Sequence, residues 1–289
     1  MKIAMNPKIA AIFAVFCFSM TSIIIKVLNA SAIMIIFYRE FFSVIIAFIL
    51  YLVSHSYKDN KASLRAYIYS ILAGVIFAVY IVSWVFSVRN TTIACATVIS
   101  DIHPVFVVAI MFFIFKEKFK GISLIGIVIA IIGCVIIFAS DLLGFGNGFI
   151  GNLFALLTAL STGLFLILGS VVRKEMSAIQ YLLFYNISCF ITVGIVALMT
   201  KTPLTGYPFS EYFFIFLLAF VVTIMGHGVM GWSLKYLKPS FVSLVFLLEP
   251  VFAGVIAFLL FSELPTVLQT IGCIVIMSGI YLYNKHEET

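Results

Sequence analysis

Six ionisable side chains lie inside long apolar runs: Arg39, Glu40, Asp101, His103, His227 and Glu249. A charge at the bilayer centre costs about 2.5–3.5 kcal/mol on insertion scales, so each needs a partner or a use. Asp101 and His103 stand just ahead of Pro104, and Glu249 directly ahead of Pro250. A proline within a helix frees the carbonyl four residues earlier, here those of Ser100 and Phe246. A polar side chain beside a freed carbonyl at mid-membrane suits solute binding or proton transfer. A carboxyl there can take a proton on one side and release it on the other. It can equally serve a structural pair, for instance Glu249 with Arg39 or with a histidine. His227, between Gly226 and Gly228, reads as a solute group or as a hydrogen bond across a close helix contact. Arg39 suits a solute carboxylate or a lock between helices. Arg39 and Glu40 are neighbours in sequence, roughly 80–100° apart around a helix, and are expected not to face each other. At least one of them then pairs elsewhere or snorkels outward. Phe77, Tyr80 and Trp84 recur at i, i+3 and i+7. That face can line a cavity for an aromatic or cationic solute, or simply pack or meet lipid.

The elements that must hold these groups follow from composition. Of 289 residues, 64% are hydrophobic and only 10% charged, with a mean hydropathy of +1.26. Soluble domains run at about 45–50% apolar and 25% charged. Lipid is therefore the solvent for most of this chain, and a soluble enzyme, a nucleic-acid binder and a disordered chain are excluded. The five cysteines lie scattered in apolar stretches with no CxxC pair, which predicts neither a disulfide framework nor a metal site.

A span needs about 20 apolar residues. Apolar runs between polar punctuation predict ten helices, over 8–26, 32–54, 65–88, 91–115, 121–140, 148–172, 178–200, 211–234, 239–262 and 265–283. The alternating ten-residue strands of a transmembrane barrel are not visible. With ends numbered alternately, 13 of the 17 lysines and arginines fall on the N-terminal side; Lys26, Arg89 and Lys201 fall on the other, and Arg39 lies within a span. The positive-inside rule then predicts both termini in the cytoplasm. The first run, with Lys2 and Lys8 ahead of it, is longer than a signal-peptide core and is read as a span.

The chain also repeats itself. Pro104-Val105-Phe106 recurs as Pro250-Val251-Phe252, Glu117 as Glu263, and Gly133 as Gly279, each 146 positions on. Phe37-Tyr38 matches Phe184-Tyr185 at an offset of 147, and Trp84 matches Trp232 at 148. A near-constant offset marks a duplication, with copies over 1–140 and 147–283 and a cytoplasmic tail over 284–289. Five spans per copy is an odd number, so the second copy enters the membrane from the opposite side. Inverted repeats of this kind place solute sites near the midplane and permit alternating access. The fold class expected is an all-α polytopic membrane protein of ten helices in two inverted five-helix repeats.

Arg39 in the second span, the stretch from His103-Pro104 to Glu117, the Gly148–Leu160 opening of the second copy, and Leu248-Glu249-Pro250-Val251-Phe252 running to Glu263 together resemble the drug/metabolite transporter superfamily, specifically its ten-helix EamA-like family. The resemblance implies helices 1–4 and 6–9 around a central cavity, helices 5 and 10 outside, and movement of small metabolites. The first copy departs by carrying His103 where the second has Glu249.

The function expected is a secondary transporter of a small amino acid, amine or related cationic or zwitterionic solute, possible proton coupling included, without cofactor or metal. Its partners are the solute and the lipid bilayer; a monomer suffices to close a cavity, and a homodimer is compatible. The cell membrane, bacterial and inner, is the expected location. Import of a cationic metabolite, such as S-adenosylmethionine or a choline-like compound, fits the residues as well as efflux does. An intramembrane enzyme would call for GxSxG or HExxH, and neither occurs. GxxxxGK[ST] is also absent, so ATP is not the expected direct energy source. Glu117 and Glu263, at span ends, are expected to be interfacial charges.

Overall fold

A computed structural model describes residues 6–56, 62–90, 99–138, 149–261 and 267–287. Every regular element among them is helical: α1 (Pro7–Val27), α2 (Ala32–Val53), α3 (Leu64–Asn90), α4 (His103–Phe113), α5 (Gly121–Phe138), α6 (Phe149–Val172), α7 (Ala178–Met199), α8 (Phe209–Leu218), a π-helical segment (Ala219–His227), α9 (Gly228–Ser233), α10 (Pro239–Phe246), α11 (Glu249–Phe261) and α12 (Val267–Glu287). Among the described residues, six helical stretches are long and apolar enough to cross a membrane.

Their ends carry ordinary stop and start chemistry. Pro7 opens α1, where its missing N–H costs nothing, and the Asn6 side chain accepts from Lys8 N at 2.9 Å. Ser177 and Gln180 form a reciprocal capping box on α7, with both bonds at 3.2 Å. That box satisfies two helix-end groups that lipid could not solvate.

Helix α2 shows what the surrounding solvent is. Ile33, Ile36, Glu40, Ser43 and Ala47, spaced three or four apart, are buried, whereas Phe41, Ile45, Phe48 and Leu52 on the opposite stripe are exposed. A soluble helix would put its polar residues outward. Here the carboxylate and the hydroxyl face the protein and only hydrocarbon faces out.

Two compact units emerge, and each draws on both halves of the sequence. The first comprises Met1–Val82 and Ile167–Leu237; the second comprises Ser83–Leu166 and Lys238–Thr289. Within the first unit, α2 packs along α7, and α1 packs on the π segment and α9. Gly74 on α3 makes the approach to α7 possible, because a Cβ there would lie 2.2 Å from the Tyr185 carbonyl oxygen. Within the second unit, α5 and α12 lie in close contact along their length. A Cβ on Gly126 would come within 2.8 Å of Gly279 O, and one on Gly133 within 2.7 Å of Ile276. Small residues that bring backbones together are the usual means of helix association where lipid removes the hydrophobic drive.

Candidate solute and proton sites

In the first unit α2 delivers Arg39 and Glu40 side by side, with 5% and 0% exposure. Their separation around the helix was expected to keep them apart, and this is corrected: Arg39 Nε and Nη2 both donate to Glu40 Oε1, at 3.0 and 2.8 Å. The spacing rule holds for short side chains, but the arginine stem is long enough to fold back. In a dry interior the adjacent carboxylate is the strongest acceptor within reach. Arg39 therefore faces inward and does not snorkel.

Around this pair α3, α7 and the π segment supply a largely aromatic wall. The Arg39 guanidinium lies 5.7 Å from the centre of the Phe77 ring. Phe77 in turn packs at 4.9 Å on His227, which meets Phe18 from the other side at 4.5 Å. Cys189 on α7 lies within electrostatic range of Glu40, and Tyr80 and His227 within that of Arg39. The close contact expected beside His227 is present: a Cβ on Gly226 would sit 2.6 Å from Phe18 Cε1. Of the aromatic stripe, Phe77 and Tyr80 join this group, their rings 5.4 Å apart. Trp84 lies beyond Val82, in the second unit, and is half-buried.

Sequence reasoning missed Cys189, Tyr185 and Asn186 on α7 and the π segment itself. Cys189 and Tyr185 read as apolar filler. Asn186 carried a usable signal, because the 147-residue offset that pairs Tyr38 with Tyr185 also pairs Arg39 with Asn186. Asn186 is fully buried, its Nδ2 donates to Leu182 O at 2.7 Å, and its Oδ1 has no hydrogen-bond partner. The π segment carries the fully buried Thr223 and ends on His227. Such segments, with one backbone bond displaced per turn, recur at functional sites.

In the second unit each proline opens a helix instead of interrupting one, and beside Pro250 the carbonyl that meets a ring nitrogen is that of Ser243, where that of Phe246 was expected. Helix α4 begins at His103 with Pro104 in its first turn, and α11 begins at Glu249 with Pro250 in its first turn. The carbonyl of Ser100, left without the Pro104 N–H, faces His103 Nδ1 at 3.3 Å. At the other break Leu247 N donates to Leu244 O, and Leu248 N to Val245 O. That tightening from a four-residue to a three-residue step leaves Ser243 O to His103 Nε2, at 3.1 Å. His103 thus stands between the two helix breaks with a ring nitrogen toward each carbonyl, and as a neutral imidazole it donates to one of them at a time.

Asp101 sits in the turn ahead of α4, with Oδ2 buried and without a hydrogen-bond partner, and its carboxyl feels the charge of Glu249. Glu117 proves to be ion-paired with Lys238 at 2.9 Å, its side chain only 12% exposed. It is a shielded charge on the partly exposed stem of its partner, not a freely hydrated one. Glu263 lies outside the described residues.

The EamA-like transporter profile matches twice, over residues 7–139 and 149–285. A transporter of Clostridium kluyveri without assigned substrate is 29% identical over 214 residues, covering 70% of this chain and 67% of that protein. A protein of Escherichia coli K12 named "Probable amino-acid metabolite efflux pump" is 26% identical over 200 residues, covering 65% and 66%. A solved crystal structure with 14% sequence identity superposes with a TM-score of 0.81 over 98% of this chain and 99% of that one, which establishes a shared fold. Two profile matches that together take in nearly the whole sequence, on a helical chain with an inward polar stripe and a lipid-facing apolar one, make this protein a multi-pass membrane transporter belonging to the EamA-like family.

Proposed function

We propose that the chain is a secondary transporter carrying a small amino acid, amine or related cationic or zwitterionic metabolite by alternating access, with protons moving through Asp101 and Glu249. The architecture that goes with this reading has ten spans and both termini in the cytoplasm of a bacterial inner membrane. Its two inverted copies run over 1–140 and 147–283. Efflux of amino-acid metabolites is the direction suggested by the name of the Escherichia coli relative.

The observation that carries the reading is the carboxyl pair at the helix breaks. Asp101 Oδ2 is buried in the turn ahead of α4 without a hydrogen-bond partner, and a carboxyl so placed is suited to hold an exchangeable proton. His103 faces the carbonyls of Ser100 and Ser243 at the two breaks and can donate its single N–H to either. Solute chemistry and proton chemistry both gain from the same feature, since a cation satisfies the carboxyl pair as a proton does.

Proteoliposome uptake tests this. Purified protein should accumulate labelled amino acids or amines when a pH gradient is imposed, and Asp101→Asn and Glu249→Gln should each remove the gradient-driven part. Gradient-driven uptake that survives both substitutions overturns the proton role. Tags on the two ends that report opposite faces of the membrane overturn the ten-span topology.

A further inference from the structure

Between α8 and α9 the chain runs for nine residues, Ala219–His227, in π-helical form, the one such stretch among the described residues. Its bonding shows at the far end, where Gly228 N reaches back five residues to Thr223 O and shares its proton with Met225 O. An α-helix that widens to π and narrows again holds one residue more than its turns require, and such insertions are rare. Thr223 shows what the insertion costs here. Thr158, Thr162 and Thr192, on α6 and α7, each donate their hydroxyl to the carbonyl four residues back, at 2.8–2.9 Å. Thr223 has Ala219 O at the same sequence distance. Its Oγ1 is nevertheless buried without a hydrogen-bond partner, in a residue of 0% exposure. The wider turn carries that carbonyl out of line, and a buried hydroxyl left unmet is destabilising.

Both ends of this helical run are held. Before the π segment the Glu211 carboxylate accepts from Asn29 N at 3.0 Å and from Ala30 N at 3.1 Å. After it Arg173 Nε donates to Gly231 O at 2.6 Å. An excess residue between two fixed points cannot leave by sliding an end; it can only move along the helix. Toward α9 the sequence reads Gly226-His227-Gly228, and glycine backbone is the least restricted, so a wide turn meets least resistance there.

We propose, building on the transport reading above, that Ala219–His227 is a two-register switch within its span and that Thr223 is the residue that positions it. In the register seen here the wide turns include Thr223. In the other the turn at Thr223 is α-helical, its hydroxyl bonds Ala219 O, and the excess residue sits at Gly226–Gly228. Side chains between the two positions swing by one residue, about 100° around the axis, and the buried face made by Val222, Thr223 and Gly226 changes with them. The second register gains the Thr223 bond but disturbs the packing of Gly226, where a Cβ would lie 2.6 Å from Phe18 Cε1. Neither register satisfies every group, which keeps the two close in energy.

Removing the excess residue tests this on the purified full-length protein. Phe220 is 43% exposed, and its deletion should turn the segment into plain α-helix. The melting midpoint should stay within about 4 °C of the parent, and amide hydrogen exchange over 219–228 should slow by about tenfold, because the second register is gone. Deletion of Ile191, similarly exposed on the regular helix α7, removes no excess and should lower the midpoint several times further. Thr223→Val keeps the shape but cannot bond Ala219 O, so it should disfavour the second register and slow exchange as well. Thr223→Ser should restore the parental rate. In proteoliposomes, pH-driven uptake of labelled amino acids or amines should be lost with the Phe220 deletion and with Thr223→Val, and kept with Thr223→Ser. A Phe220 deletion as damaging as that of Ile191, exchange unchanged in both altered proteins, or parental uptake by the folded deletion protein each overturns the switch. A parent protein that carries none of the labelled solutes overturns the transport reading instead, and the exchange and melting results then decide by themselves whether two registers exist.

Discussion

The two units handle buried charge in opposite ways. The first holds a cation and an anion in contact and surrounds them with rings and a thiol. The second places Asp101 and Glu249 at helix breaks, with His103 beside the exposed backbone and Asp101 Oδ2 buried without a hydrogen-bond partner. Opposite charges in contact stabilise only as a pair, and removing one leaves the other stranded. Like groups relieve one another when one is neutralised. The first arrangement thus resists a change of charge, because either partner alone would be stranded.

Breaking the pair should give the largest effect. Arg39→Met alone strands Glu40 in a site of 0% exposure and should cost about 3–5 kcal/mol. Arg39→Met with Glu40→Met should recover most of that loss, as read from reversible unfolding in mixed micelles. A double variant no more stable than the single one would contradict the idea of mutual dependence.

Next in size is the backbone approach beside it. Gly74→Ala drives a methyl to 2.2 Å from the Tyr185 carbonyl and should cost about 1–3 kcal/mol through forced separation of α3 and α7. Gly133→Ala, with its nearest atoms at 2.7 Å, provides the matching measurement in the second unit and should cost no more.

His103→Leu removes the bridge between the two breaks and leaves the carbonyls of Ser100 and Ser243 without it. A loss of about 1–3 kcal/mol is expected, together with faster amide hydrogen exchange at residues 243–248. Unchanged exchange there would mean that the breaks hold without the histidine.

Asp101→Asn should sharpen the contrast most cleanly, because it removes a buried carboxyl whose Oδ2 has no hydrogen-bond partner. Stability should stay within about 1 kcal/mol of the parent or rise, while pH-driven uptake falls. The smallest effect belongs to Lys238→Met. Its ammonium is about half exposed in the 2.9 Å pair with Glu117, and such pairs contribute roughly 0.2–1 kcal/mol before salt screening.

A good deal of this was legible from residues alone. A chain with 10% charge and 64% apolar content has no aqueous fold available to it, so helical spans, the inward polar stripe of α2 and the need to explain each buried ion follow from solvation. The duplication was visible as offset, and the effect of Pro104 and Pro250 on their helices follows from a missing N–H. Partner choice was not legible. Helix geometry placed Arg39 and Glu40 apart, yet they pair, because side-chain reach and a dry surrounding outweigh angular spacing. Ser243 O meets His103 only because the chain at Leu247 tightens by one residue, a local adjustment that composition does not encode.

What the amino-acid order determined by itself is the solvent, the helical state and the repeat, since these rest on hydrocarbon transfer and local backbone chemistry. Only the tertiary structure decided which buried polar groups satisfy one another and which are left with an edge to spare. That depends on distances between helices far apart in sequence, where a shift of one hydrogen bond changes the partner.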